Sequence, residues 1–231
     1  MSLSSAMEIV ELLQPLGLLL RGGFALDTTA DADLLQQYPA ARQLLLIGNA
    51  GSAIWPHLAQ YMAANPGIAN PLDRWTAATL GDLATRIDAV SLFPFGGPTW
   101  WPFQRWAQRA DTVHRSPLAI LIHPRYGLWH AYRAALLLRN PIVLPAVEAQ
   151  ESPCDSCADR PCLTSCPVGA FSATGYDVES CAAHVNAEAG VACRTLGCQA
   201  RLACPIGAQW RYQLDHAAFH MAAFRMAHPA C

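Results

Sequence analysis

The sequence predicts a mixed α/β (α+β) sandwich followed by a small cysteine-rich domain. Three observations carry that expectation. Short apolar runs alternate with helical patterns through the first two thirds of the chain. All nine cysteines lie at or beyond Cys154. A proline-bearing stretch with an acidic tail, 141–153, separates the two regions. The domains are therefore drawn at 1–148 and 149–231.

The elements follow in order. Residues 4–13 read as an opening helix. Residues 43–47 form a short apolar strand, closed by Gly48-Asn49-Ala50-Gly51-Ser52 and followed by a helical pattern over 53–64. Backbone N–H groups in that turn suit a phosphate, although an ordinary tight turn uses the same residues. Asp73 caps a helix running to Ile87. Strands are expected at 89–93, 118–123 and 129–138, with an edge at 142–144, and a helix at 100–110.

Composition excludes several functions. Hydrophobic residues make up 53% of the 231 and charged residues 14%, enough for a sizeable core. Formal net charge is −2 and every basic residue is Arg. Without Lys there is no Schiff-base lysine and no Walker-type phosphate loop. No basic excess is present to grip a polyanion, so nucleic acid is not an expected partner. The apolar run 16–20 is too short to span a bilayer and lacks the flanks of a secretory signal. A cytoplasmic, non-membrane protein is expected, where thiols stay reduced and clustered cysteines bind metal.

The cysteines form two groups. Cys154-x2-Cys157-x4-Cys162-x3-Cys166-Pro167 is the first; Cys181, then Cys193-x4-Cys198-x5-Cys204-Pro205, is the second. Both end alike, Cys-Pro-Val-Gly-Ala at 166–170 and Cys-Pro-Ile-Gly-Ala at 204–208. This repeat marks a ferredoxin-type domain with two [4Fe–4S] clusters. In such ferredoxins the fourth Cys of each group serves the other cluster. That gives Cys154, Cys157, Cys162 and Cys204 to one cluster, and Cys166, Cys181, Cys193 and Cys198 to the other. Cys231 is left over. Zinc knuckles favour paired Cys-x2-Cys units, of which only one exists here. The x4 and x5 spacings depart from the x2 of bacterial ferredoxins.

A resemblance becomes specific at Leu121-Ile-His-Pro-Arg-Tyr-Gly-Leu-Trp-His-Ala-Tyr-Arg133. This segment resembles the Ile-His-Pro-Arg-Phe-Gly-Gly-Trp-Phe-Ala-Ile-Arg stretch of CblC-type cobalamin-processing proteins. It is also similar to the Asn-Pro-x-x-Gly-Ser-Trp segment of epoxyqueuosine reductases, which precedes a fused two-cluster module. Residues 44–55 are loosely similar to the strand and helix that open the CblC cavity. The resemblance implies a nitroreductase-like sandwich holding a corrinoid. It carries over His123, Pro124, Arg125, Gly127, Trp129 and Arg133, with Tyr126 in place of Phe. Arg133 falls where CblC proteins place an Arg that contacts glutathione. Asp111 is the nearest candidate for the reductases' proton-donor Asp, and Thr112 or His114 falls near the CblC histidine. The reductases' Gly-Trp-Ile-Gly-Lys run is absent, which weighs against tRNA chemistry.

The residues themselves add further candidates. Phe95, Trp100, Trp101, Phe103 and Trp106 surround Gly96-Gly97-Pro98 and suit either a wall against a flat cofactor or a packed core. His123 is a candidate proton donor or cobalt ligand. Arg133, set among apolar residues, requires an anionic or polar partner. His216 and His220 share a helical face without the Glu of a zinc-protease motif. The expectation is an oxidoreductase that takes electrons from a redox partner protein through two clusters to cobalamin. His123 and Arg133 are the catalytic candidates, and residues 123–127, Trp129 and Arg133 contact the corrinoid. The alternatives are an FMN reductase, an epoxyqueuosine-reductase relative, or a plain electron-transfer ferredoxin.

Overall fold

A computed structural model describes residues 5–172 and 175–229. The chain divides into two compact units. One is Met1–Thr112 with Ala131–Ala149; the other is Val113–His130 with Gln150–Cys231. The sequence reading assigned 113–130 to the first domain, whereas these residues cluster with the cysteine-bearing unit.

The first unit runs α1 (Ala6–Leu13), β1 (Leu19–Ala25), α2 (Ala32–Gln37), β2 (Gln43–Ala50), α3 (Trp55–Ala64), α4 (Pro71–Arg86), β3 (Val90–Leu92) and α5 (Phe103–Ala110). After the excursion through β4 (His114–Arg115) and β5 (Leu121–Ile122), β6 (His130–Leu138) returns to it. The sheet order is β1-β2-β6-β3. β1 and β2 are antiparallel, as are β3 and β6. Every residue of β2 is buried, which explains its unbroken apolar run. α1 and α5 pack on β1, and α4 packs on α3 and β3. Ser5 caps α1 by accepting the N–H of Glu8.

Four expectations shift. β1 was not expected, because its apolar run is interrupted by Arg21-Gly22-Gly23, where the register with β2 slips. The expected turn at 48–52 begins too early, since β2 continues to Ala50. Asp73 lies within the first turn of α4, and the cap position is Asn70. The expected edge at 142–144 is no strand. There the Gln43 side chain substitutes for a strand partner, its Nε2 donating to the Ile142 carbonyl at 2.9 Å and its Oε1 accepting the Ile142 N–H at 2.8 Å.

The second unit adds α6 (Pro161–Thr164), β7 (Phe171–Ser172), β8 (Gly175–Tyr176), α7 (Val178–Asn186), α8 (Val191–Leu196), α9 (Gln199–Ala203) and α10 (Leu214–Ala227). The strands form two small hairpins, β4 with β5 and β7 with β8. α6 packs against α9, and α10 against α7 and α8. Among the described residues no helix is long and apolar enough to cross a membrane.

Candidate metal centre and ligand site

Eight cysteines of the second unit carry free thiols; Cys231 lies outside the described residues. Burial pushes the thiols of Cys154, Cys162, Cys181, Cys193, Cys198 and Cys204 up, and it is the first cause in each. Neighbouring sulfurs add to the effect, and the neighbours sort into two sets. Cys154 feels Cys204, Cys162 and Cys157; Cys162 feels Cys204 and Cys157; Cys204 feels Cys157. Separately, Cys193 feels Cys181 and Cys166, Cys198 feels Cys181 and Cys193, and Cys181 feels Cys166. Among the described residues no such interaction crosses from one set to the other. No three His, Cys, Asp or Glu side chains among them converge tightly enough to hold a single ion.

Donors already point at these sulfurs. Ala170 N–H lies 3.3 Å from Cys166 Sγ. The N–H groups of Ala200 and Arg201 reach Cys198, that of Gln199 reaches Cys193, and that of Ile206 reaches Cys204. The Tyr176 hydroxyl bonds to Cys181. Such contacts stabilise sulfur carrying negative charge, as an iron-bound thiolate does. Gly169 and Gly207 of the two Cys-Pro repeats both take left-handed φ, +60° and +70°.

The segment 118–130 builds the wall behind the cysteines. Leu118, Ile122 and Leu128 form one apolar cluster with Cys162, Ala200 and Cys204, against which Cys154, Cys166 and Cys198 pack. Gly127, at φ +57°, abuts the repeat after Cys204. A Cβ there would sit 1.9 Å from the Ile206 carbonyl oxygen, and one on Gly207 would sit 2.4 Å from the Tyr126 carbonyl carbon. Only glycine at both positions allows this approach. Tyr126 meets Trp210 edge-on at 5.0 Å, and Arg125 lies over both rings.

His123 closes its own turn. Its Nδ1 accepts the N–H of Arg125 at 2.9 Å and of Tyr126 at 3.3 Å, and its backbone pairs with Gly127. The ring proton of the neutral form therefore sits on Nε2. Pro124, which has no N–H to donate, occupies the turn between them.

Arg133 belongs to the first unit, apart from 123–130. Its Nε donates to Asn49 Oδ1 at 2.9 Å, and Asn49 is fully buried on β2. Burial pushes the Asp73 carboxyl up, while Arg133 opposes the shift. Asn49 and Asp73 are partners that sequence reasoning missed. The fully buried Asn in an apolar strand was the available signal, because a buried amide needs a partner.

Asp111 is engaged elsewhere. It forms a 2.6 Å ion pair with Arg21, which is buried in β1, and accepts the Tyr132 hydroxyl at 2.8 Å. Burial pushes the Tyr132 phenol up; the Arg21 charge opposes this and Asp111 adds to it. The expected aromatic wall divides. Phe95 stacks on Phe93, whereas Trp101 and Trp106 stack at 5.8 Å and, with Trp100, line a cavity of ≈ 750 Å³. The Asp31–Arg109 ion pair lies in its wall at 2.6 Å. In the second unit, His216 and His220 approach at 3.1 Å between Nε2 atoms, with Tyr212 stacked on both.

No family model matches the sequence, and no curated protein matches it. Solved structures do match. The epoxyqueuosine reductase of Streptococcus thermophilus aligns at TM-score 0.55 and 15% identity, over 90% of this chain and 68% of that one. The C. elegans B12-trafficking protein CblC aligns at TM-score 0.53 and 12% identity, over 94% of this chain and 91% of that one. The chain thus has a mixed α/β fold similar to that of epoxyqueuosine reductases and CblC. At these identities the likeness is one of fold. An epoxyqueuosine reductase has also been solved with a tRNA stem loop, at TM-score 0.47, 17% identity, and coverage of 90% and 66%.

Proposed function

We propose that this chain is a cytoplasmic iron–sulfur oxidoreductase that passes electrons through two [4Fe–4S] clusters to a bound corrinoid. The outcome is cobalamin reduction or removal of its upper ligand. The single observation that carries the reading is the sorting of eight thiols into two sets of four, each drawing one or more members from both cysteine groups. Cys154, Cys157, Cys162 and Cys204 would hold one cluster, and Cys166, Cys181, Cys193 and Cys198 the other. When bound, the clusters supply one-electron transfer at strongly negative potential. The N–H and O–H donors named above hold the sulfurs in place and stabilise their charge. Asn49 orients Arg133 toward an anionic or thiol co-substrate, and His123 presents Nε2–H as a donor. A redox partner protein supplies the electrons.

A second reading has its own support. The cavity beside Trp100, Trp101 and Trp106 has the size of a small-molecule site and suits a flat flavin such as FMN. A relative of epoxyqueuosine reductase is supported by fold alone, and Asp111 is committed to Arg21 rather than offered as a proton donor.

Anaerobic protein should contain about eight iron and eight acid-labile sulfide per chain. It should shift the absorption of added cobalamin and, with dithionite, develop the cob(I)alamin band. Stoichiometric zinc without sulfide would remove the cluster reading. FMN binding in place of cobalamin would select the flavin reading.

A further inference from the structure

The first unit holds an indole with one face open. Trp100 is 73% exposed, and it lines the ≈ 750 Å³ cavity between residues 29–37 and 99–109. Its neighbours Trp101 and Trp106 stack on each other, and Trp106 is buried. Trp100 instead rests on backbone. A Cβ on Gly97 would lie 2.6, 2.8 and 3.0 Å from the Cε2, Cζ2 and Cδ2 atoms of its ring. Near-equal distances to three bonded ring atoms place that point over the ring face. Glycine thus lets the chain back one face of the indole, which leaves the other to the solvent.

Four charged residues line the same cavity: Asp31, Asp33, Arg105 and Arg109. Two of them are matched. Arg109 holds Asp31 through both terminal nitrogens, at 2.6 and 3.1 Å, and lies 3.7 Å from the centre of the Phe24 ring. Asp33 and Arg105 are exposed, and neither has an ion pair among the described residues. The cavity therefore offers a flat apolar face, a cation and a carboxylate. An exposed indole face is unfavourable in water, and a planar heteroaromatic ring covers it well. The guanidinium fork matches phosphate. A carboxylate accepts from hydroxyl and amino groups.

We propose that this cavity binds a mononucleotide. The heteroaromatic ring stacks on the open face of Trp100, the phosphate meets Arg105, and hydroxyl or amino groups turn to Asp33. The inference rests on the flavin reading of the same cavity and deepens it; it does not depend on the corrinoid. FMN and AMP share this chemistry. Gly97 is then a positioning residue, because its missing side chain sets the plane of the indole.

The test titrates anaerobic, iron-loaded full-length protein with FMN, riboflavin and AMP by calorimetry. Riboflavin keeps the flavin ring without the phosphate, and AMP keeps the phosphate on a purine. Iron content and the thermal midpoint are read alongside, so that a folding defect is recognised. Trp100→Leu should weaken FMN and AMP about tenfold. Gly97→Ala should weaken them to a similar extent although it removes no side chain. Its methyl displaces the indole, which swings outward into solvent, so the thermal midpoint should hold. Arg105→Gln should weaken FMN and AMP about threefold to fivefold, less at high salt, and leave riboflavin unchanged. Arg105→Lys should recover part of that loss. AMP bound more tightly than FMN, with the same response to the variants, would support the site and make its natural ligand a purine nucleotide. FMN bound by Trp100→Leu and Gly97→Ala as by wild type would overturn the site and leave flavin binding elsewhere on the chain. Equal weakening of riboflavin and FMN by Arg105→Gln would overturn the phosphate contact. If none of the three binds wild type at about 1 mM, the flavin reading fails and the site falls with it.

Discussion

Arg133 is held by Asn49, and its charge also acts on the Asp73 carboxyl. Burial raises Asp73 more than the Arg133 charge lowers it. The folded chain thus holds the Asp73 proton more tightly than the unfolded chain does. Stability from that proton is fully present below the unfolded value of about 3.9 and is lost as pH rises through the folded one. Asp73→Asn is neutral at every pH, so it should gain on wild type as pH rises. Urea midpoints at pH 4.5 and 7.5 measure this; a constant gap between the two proteins would contradict it. Gly127 is the other decisive single residue. Gly127→Ala forces a Cβ against the Ile206 carbonyl at a left-handed φ. A destabilisation of about 2–4 kcal/mol is expected. Because Ile206 follows Cys204 by two residues, iron content should fall as well. Normal iron and an unchanged midpoint would show that the two glycine segments do not interlock.

At the scale of elements, the sequence was readable where one period ruled and opaque where side chains replaced backbone. The strands expected at 43–47 and 129–138 were legible as apolar stretches and appear as Gln43–Ala50 and His130–Leu138. β1 hid because Arg21 and two glycines break its pattern, and its reasons are tertiary. Arg21 answers Asp111, and Gly22 makes room for the Ala110 carbonyl, 1.9 Å from where a Cβ would sit. The edge at 142–144 was mistaken because Val and Leu there look strand-like, while the pairing is made by one Gln side chain. Gln43→Leu should therefore expose that substitution. It leaves the Ile142 N–H and carbonyl without partners in a buried place. A loss of about 1–3 kcal/mol per unsatisfied group is expected. Denaturant unfolding checks it; a variant as stable as wild type would mean that water replaces the amide.

Across the whole molecule, the cysteine pattern was far more legible than the partners of the other candidate residues. Cysteine spacing is local and chemically narrow, so the eight candidates could be listed from the chain alone. Other side-chain partnerships are assembled from distant residues: Asn49 meets Arg133 in one unit, and Trp129 meets Arg201 in the other. His123 shows the limit of a motif, since its Nδ1 serves a turn. Cysteine pairing is the property on which both scales bear, and it yields a test. If the crossed sets of thiols hold the clusters, Cys166→Ala should damage the cluster served mainly by Cys181, Cys193 and Cys198. Cys204→Ala should damage the cluster served by Cys154, Cys157 and Cys162. Cys231→Ala should leave both intact. The two losses should be separable, because among the described residues no sulfur of one set acts on a sulfur of the other. Electron paramagnetic resonance of dithionite-reduced protein, with iron counted on the same sample, reads each cluster. Replacing Cys166 should leave about four iron with the signal of the first set, and replacing Cys204 about four with that of the second. The uncrossed alternative has a distinct signature. Doubling the replacement, Cys154→Ala with Cys204→Ala, would then remove both clusters, whereas crossed pairing predicts that one survives.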